Sequence, residues 1–330
     1  MSSKLDEIRQ KLKALEEKRS PNKPQPKKTS GIGYPFWDIP MESTATLRLL
    51  PDGDQNNTFF WVEDQTIKIP FPGIKGGDEN KKVTVFVPCV EMWGDPCPIH
   101  AEIRPWYKTE DEELKKLASV YWKKRSYYMQ GFVRKDPMGE AEPPECPIRR
   151  FKFTPQLFNI VKAILLDEQV ADEPTDLENG IDFNIKKSQK GGFPDYTQSQ
   201  YSRVSSPLTQ TERDAIEKYG LTKLCDYLPK RPGADEVAAM YDMFQASMAG
   251  ELYDVEKWGA YYRPYGVQFS KTEKGEKSKT EDLEIVESGN DSISFEEPSV
   301  TVTVEETISE PVEPKQSTQD ILAMIRNRNK

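Results

Sequence analysis

The chain has 330 residues, 36% of them hydrophobic, and a net charge of −9 from 46 lysines and arginines against 55 aspartates and glutamates, so a core fills only part of its length. No apolar run approaches the roughly 20 residues of a membrane span, and the opening Met1-Ser-Ser-Lys4-Leu5-Asp6-Glu7 lacks the hydrophobic stretch of a secretory signal; a cytoplasmic protein without membrane attachment is expected. Four cysteines without such a signal argue against a disulfide framework, and with one histidine, no phosphate loop and no dinucleotide fingerprint the chain reads as a binding protein and not an enzyme.

In chain order, Leu5, Ile8, Leu12 and Leu15 fall at helical spacing, which predicts one amphipathic helix over residues 3–19. Pro21, Pro24 and Pro26 end it, and a basic linker runs to Ser30. The helix either docks on something or stays a solvated arm. Strands are predicted over residues 44–51, 59–71 and 82–88, and an acidic start at 109–113 opens a helix through 120. Thr154 as N-cap and Pro155 at the first helical position open another helix, which ends at 166. Residues 209–219, 222–228 and 235–248 read as helices covering the β core, the last with Val237, Met240, Tyr241 and Phe244 on one face. Strands separated by turns, with few helices, define a mainly β α+β protein with accessory helices, arranged as a Greek-key or partly open barrel.

Order is expected to fail after residue 270. Residues 281–330 hold 12 acids and 4 bases, leaving 43 acids and 42 bases upstream, so the acidity is a tail. The alternating Val300-Thr-Val-Thr-Val304 is expected to stay unpaired, and Ile321, Leu322, Met324 and Ile325 make a short apolar peptide suited to a partner. At the other end, Met1 to Ser30 carries 9 bases against 4 acids.

The chemistry is concentrated between Val120 and Asp136, where Tyr121, Trp122, Lys123, Lys124, Arg125, Tyr127 and Tyr128 interleave rings with cations. Side chains alternate along a strand, so each face carries both kinds, as in a groove where bases stack on rings and phosphates meet cations. Taken alone, this stretch reads equally well as a half-buried strand with snorkelling lysines. Recurrence favours the groove: Arg149, Arg150, Phe151, Lys152 and Phe153 repeat the pattern, as do Lys186, Lys187 and Lys190 running into the Gly191-Gly192 turn with Phe193 and Tyr196. A second signal is Cys89, Cys97 and His100, whose Cys-x2-His spacing suits one tetrahedral Zn2+. A fourth ligand would come from Cys146, Cys225, Glu63 or Asp64; without one, two buried cysteines and a surface histidine account for the motif equally well.

These segments, in their order and spacing, resemble the single-stranded DNA-binding (helix-destabilising) protein family of T-even-like bacteriophages. The likeness is carried by Thr46-Leu-Arg-Leu-Leu-Pro51, Lys123-Lys-Arg-Ser-Tyr-Tyr128 through Pro137, Arg150-Phe-Lys-Phe153, and Gly180-Ile-Asp-Phe183 through Tyr196. The resemblance implies an OB-fold-like barrel over 31–270 with an inserted zinc-type subdomain at about 60–106 and covering helices at 207–250. It also implies a self-associating N-terminal arm over 1–30 and a disordered acidic tail over 271–330 that recruits phage replication and recombination proteins. Tyr127, Tyr128, Phe151, Phe193 and Tyr196 would meet the bases, and Lys123, Lys124, Arg125, Arg150, Lys152, Lys186 and Lys187 the phosphates. Because a regular strand turns only one of Tyr127 and Tyr128 to DNA, Tyr127, on the face of Lys123 and Arg125, is the expected stacking ring.

Two features depart from the family pattern. The family's metal site uses three cysteines and an upstream histidine, whereas here His100 stands in place of the last cysteine and residues 63–66 hold no histidine. The basic Ser/Thr cluster of the arm has its nearest match, Lys27-Lys-Thr-Ser30, after the helix. The implied function is cooperative, sequence-independent coating of single-stranded DNA in phage replication, recombination and repair, inside the infected host. The alternatives are a single-stranded RNA-binding protein or translational repressor on the same groove, and a structural protein whose aromatic strands are simply core.

Overall fold

The structure, a computed structural model, describes residues 32–140, 143–167 and 173–267. The predicted helix at 3–19, its linker, the acidic tail and the terminal peptide lie outside the described residues. Nine strands are described: β1 (Thr44–Leu50), β2 (Val62–Phe71), β3 (Val83–Pro88), β4 (Lys124–Lys135), β5 (Arg149–Phe153), β6 (Ile181–Lys186), β7 (Ser188–Lys190), β8 (Phe193–Asp195) and β9 (Gln200–Ser205). The helices are α1 (Pro98–Ile103), α2 (Glu112–Tyr121), α3 (Pro155–Leu165), α4 (Gln210–Tyr219), α5 (Ala234–Met248) and α6 (Val255–Trp258). The strands pair antiparallel, so the mainly β α+β class holds.

The chain divides into two compact units, Glu63–Ser126 with 228–267, and 32–62 with Tyr127–Tyr227. The expected subdomain over 60–106 is thus shorter than the first of these units, and α5, expected as a cover of the β core, belongs to that unit too.

Several local expectations shift for identifiable reasons. The helix that begins after Asp111, whose carboxylate accepts from the Glu113 and Leu114 amides, runs through Tyr121. Trp122 is its C-cap, so Tyr121 to Lys123 precede the strand instead of forming it. Thr154 stands at the N-cap of α3 without a side-chain capping bond; Pro155, needing no N–H partner, starts the helix. Thr209 does cap α4, in a reciprocal box with Glu212.

In the unit of Tyr127–Tyr227, strands β5, β4, β1, β6 and β9 are neighbours in that order. One sheet face buries Leu47, Leu49, Tyr127, Met129, Phe151, Phe153, Phe183 and Ile185 together with Leu157, Phe158 and Val161 of α3. Between β7 and β8 the chain reverses through Gly191 and Gly192, at φ +59° and +87°. Two successive left-handed residues are what a two-residue hairpin turn matched to strand twist requires. In the other unit, β2 and β3 form a hairpin whose inner residues Ile67, Ile69, Val85 and Val87 join Met240, Met243 and Phe244 of α5 in a single core. Tyr241 departs from its predicted apolar face and donates to Glu102 at 2.7 Å.

On β1, Arg48 is fully buried. Its guanidinium donates to the carbonyls of Ser206 (2.5 Å) and Asp176 (3.0 Å) and meets Asp182 at 3.4 Å. Asp182 also pairs with Arg134 on β4 (2.8 Å), which in turn grips Glu212 of α4 (2.8 Å). Burial pushes the Glu212 carboxyl up, but the hydrogen bonds from Arg134 and the Thr209 amide outweigh it and hold the group below the usual glutamate range. Two cations and two anions therefore balance, with carbonyls taking up further donors. Gly180 is obligatory beside them, since a Cβ there would lie 2.2 Å from the Asp176 oxygen and 2.7 Å from the Arg48 guanidinium. Arg48→Ala leaves buried acceptors unpaired and is expected to lower the unfolding free energy by about 3–5 kcal/mol, read from the shift of the denaturant midpoint.

Candidate nucleic-acid interface and metal cluster

The register of β4 on β5 decides what the interface contains. Tyr127 lies opposite Phe153, Tyr128 opposite Lys152, Met129 opposite Phe151 and Gln130 opposite Arg150. Directly opposed residues share a face, so Tyr127, Met129, Phe151 and Phe153 point into the core while Tyr128, Gln130, Arg150 and Lys152 point out of it. Tyr127 stacks on Phe158 with ring centroids 3.6 Å apart and planes within 11°. The expected facing of Tyr127 is therefore corrected: it points into the core, while Tyr128 takes the other face and is itself buried (1% exposed) under Arg150 and Lys152. Tyr127 is a core ring, because α3 delivers Phe158 against it. Phe151 (0% exposed) and Tyr196 (8%) are buried in the same cluster, so these rings are likewise packed against protein.

The outward face joins rings to cations. The Lys152 ammonium lies 5.0 Å from the centroid of Tyr128. Arg150 sits between two rings, 5.9 Å from Tyr128 and 4.8 Å from Tyr227. At these separations the cations meet the negative ring faces. Tyr227 was not expected from the sequence; it comes from a 3₁₀ turn, Leu224–Tyr227, nearly a hundred residues away along the chain. Gln130 fixes that approach: its amide nitrogen donates to the carbonyls of Pro51 (2.8 Å) and Thr222 (2.9 Å), and its oxygen accepts from the Thr222 amide (3.0 Å). Asp52 accepts from the Leu224 amide at 2.9 Å.

The other expected residues divide. Phe193 stands exposed at the hairpin turn, paired across it with Lys190, which is exposed as well. Lys186 is half-buried, and Lys187 donates instead to the backbone carbonyls of Trp37 and Ile39, which removes it from the phosphate contacts. In the unit containing Glu63–Ser126, Lys124 and Arg125 are exposed at the start of β4, Arg125 beside Glu63 at 3.3 Å. Lys123 is nearly buried; its ammonium donates to Gln65 and Glu91, each at 2.8 Å, so its charge is neutralised within the unit.

Cys89, Cys97 and His100 do come together, all buried, with ligand atoms within 4.8 Å of one another. His100 is buried, not the surface histidine of the alternative reading. Cys89 ends the β3 segment and Cys97 precedes α1, so eleven residues fold back to bring the Cys89 sulfur within 3.6 Å of His100 Nδ1. That spacing matches the edge of a tetrahedron built from Zn–S and Zn–N bonds of about 2.3 and 2.0 Å, roughly 3.5 Å. The Cys97 thiol is drawn down to about 7, chiefly by its hydrogen bond with Cys89, against the effect of burial. Burial also lowers the His100 pKa, favouring the neutral, ligating ring. This donor set fits zinc. With metal on Nδ1 the ring proton belongs on Nε2, so the contact from the Lys123 amide to Nε2, at 3.3 Å, suits the metal-free tautomer. None of the four expected fourth ligands joins the three: Glu63 faces Arg125, Asp64 lies by Ser126 and Thr66, Cys146 lies near the Ile148 carbonyl, and Cys225 is exposed. The carboxylate nearest the ring is Glu91, 3.1 Å from Nδ1.

Residues 41–226 match the model of the family described as gp32 DNA binding protein like. A match over more than half of the chain makes this a DNA-binding protein. The chain belongs to the gp32-like family, whose members bind single-stranded DNA. No curated protein matches the chain. No described helix is long and apolar enough to cross a membrane.

Tyr127→Ala is expected to cost about 3–5 kcal/mol of stability, as for other large aromatic deletions in a core. Lys124→Ala, at an exposed position, is expected to leave the denaturant midpoint unchanged.

Proposed function

We propose that this protein coats single-stranded DNA cooperatively and without sequence preference, in phage DNA replication, recombination and repair within the infected cell. The observation that carries this reading is the outward face of β4 and β5, where Arg150 lies over the partly exposed ring of Tyr227 and, with Lys152, covers the buried Tyr128, while the opposite face is closed by core rings. Rings accept bases of any identity, and the cations accept phosphates. Phe193 with Lys190 on the β7–β8 hairpin adds a second ring and cation, and Lys186 is a further phosphate contact; Lys124 and Arg125, exposed in the other unit, are proposed as phosphate contacts of that unit. The antiparallel order β5, β4, β1, β6, β9 supports an OB-type barrel for this groove.

Residues 1–30 supply the contact between neighbouring copies, and the acidic 271–330 segment competes for the groove until DNA displaces it, then recruits replication and recombination proteins. Cys89, Cys97 and His100 hold a structural zinc ion, which when bound cross-links the loop between β3 and α1.

Titration of the full chain with poly(dT) and poly(U), followed by tyrosine and tryptophan fluorescence, tests the reading. Quenching by poly(dT) is expected, with log K falling by about 0.7 per neutralised phosphate for each tenfold rise in salt. Removal of residues 281–330 is expected to tighten binding at moderate salt. No quenching by either polymer would overturn the proposal, and a clear preference for poly(U) would replace it with the RNA-binding reading.

Elemental analysis of the purified chain is expected to find one zinc per molecule, lost on Cys97→Ser. Metal-free protein with unchanged stability would show that the cluster is held by packing alone.

A further inference from the structure

The arginines of this unit differ in what holds them. Arg48 is sealed by two carbonyls and Asp182. Arg134 grips Glu212 and Asp182. Arg149 takes both oxygens of Glu140, at 2.5 and 3.0 Å, and the carbonyls of Ile32 and Gly33. Arg150 differs from these: among the described residues its guanidinium has neither an ion pair nor a hydrogen bond, and, unlike Arg203, which also lacks both, it lies on the faces of two rings, Tyr227 and Tyr128. Five N–H donors and a full charge are left to water and two rings.

The two rings differ as well. Tyr128 is buried beneath the cations, whereas Tyr227 is partly exposed. Their centroids lie 6.0 Å apart with planes tilted by 49°, so the rings do not stack on each other and one cation touches both. Tyr227 is also held firmly. Leu224, three residues before it, is fully buried, and Thr222 is locked to Gln130 and donated to by the Gly53 amide at 3.1 Å. A ring at the end of such a pinned turn loses little freedom when something stacks on it.

We infer that Tyr227 is a base-stacking residue whose ring is capped by Arg150 in the free protein, and that a single-stranded nucleotide displaces the guanidinium from the ring and receives it on its phosphate. This inference rests on the proposed single-strand-binding function. A partly exposed cation on a ring is held more weakly than a stacked base. The planar fork of the released arginine fits phosphate oxygens better than it fits a ring face. The exchange therefore replaces one weak contact with two stronger ones and requires no movement of the backbone. It selects single strands, since a base inside a duplex has no free face, and it tolerates any base.

The test uses the full-length chain and oligo(dT), with affinity measured across a salt series. Tyr227→Leu is expected to weaken binding about 5- to 150-fold, the range for losing one stacked base, with the salt dependence unchanged. Tyr227→Phe is expected to restore most of that loss, because the ring and not the hydroxyl does the stacking. Arg150→Gln is expected to reduce the salt slope by about 0.7 while leaving most of the binding that persists at high salt. If the unsubstituted chain binds but Tyr227→Leu binds equally well, the inference fails and the function stands. If the unsubstituted chain does not bind, the function itself fails. Should Tyr227→Leu not fold, the other two variants decide: an unchanged slope in Arg150→Gln, or a Tyr227→Phe as weak as a lost base, overturns the proposal.

Discussion

The pairing of β4 with β5 is the constraint on which the candidate interface depends. Side chains alternate with a period of two, so fixing Tyr128 opposite Lys152 commits every neighbour to one side or the other. The core then takes Tyr127, Met129, Phe151 and Phe153, and the outer side receives Tyr128, Gln130, Arg150 and Lys152. A slip of one residue would bury two cations and expose two phenylalanines. The packing of Tyr127 on Phe158 guards against that slip, because α3 offers its ring at one position only.

Burial separates the structural charges from the reactive ones. Arg48, Arg134 and Arg149 are surrounded by carboxylates and carbonyls, which makes them part of the architecture. Lys123 and Lys187 are committed in the same way, one to Glu91 and Gln65, the other to two backbone carbonyls. Those toward solvent include Arg150 on its two rings, Lys190 at the hairpin tip, and Lys124 and Arg125 at the start of β4. Counting basic residues in a segment therefore overstates how many can neutralise a phosphate. Their surroundings in the fold decide.

Much of the fold was legible because apolar residues alternate cleanly where one sheet face is buried, as in Val83, Val85 and Val87 or Ile181, Phe183 and Ile185. The hairpin turn was legible from Gly191-Gly192, and the metal cluster from the spacing of Cys97 and His100. The face of Tyr127 was not. Both sides of that strand carry aromatics, so alternation gives two solutions, and only Phe158, some thirty residues on, chooses between them. The helical state of Tyr121 was hidden for a similar reason, since β-forming aromatics there are held in a helix by packing against Phe244 at 4.9 Å. Tyr227 carries no local signal at all. Its place is set by Gln130, whose side chain clamps the segment before it through Pro51 and Thr222.

The buried Arg48 also ties distant parts of the chain together. Its three partners, Asp176, Asp182 and Ser206, follow it by 128, 134 and 158 residues. All of these partners lie in segments that reach β1 only through the folded sheet, so the charge is sealed by tertiary structure and not by its own neighbourhood in the chain. Closing such distant contacts is slow, because chain entropy is given up before the contacts form. The apolar face around Leu47 and Leu49 depends on equally distant segments, β4, β5 and β6. Both faces of β1 therefore close through long-range contacts, one apolar and one ionic, which couples this strand to most of its unit.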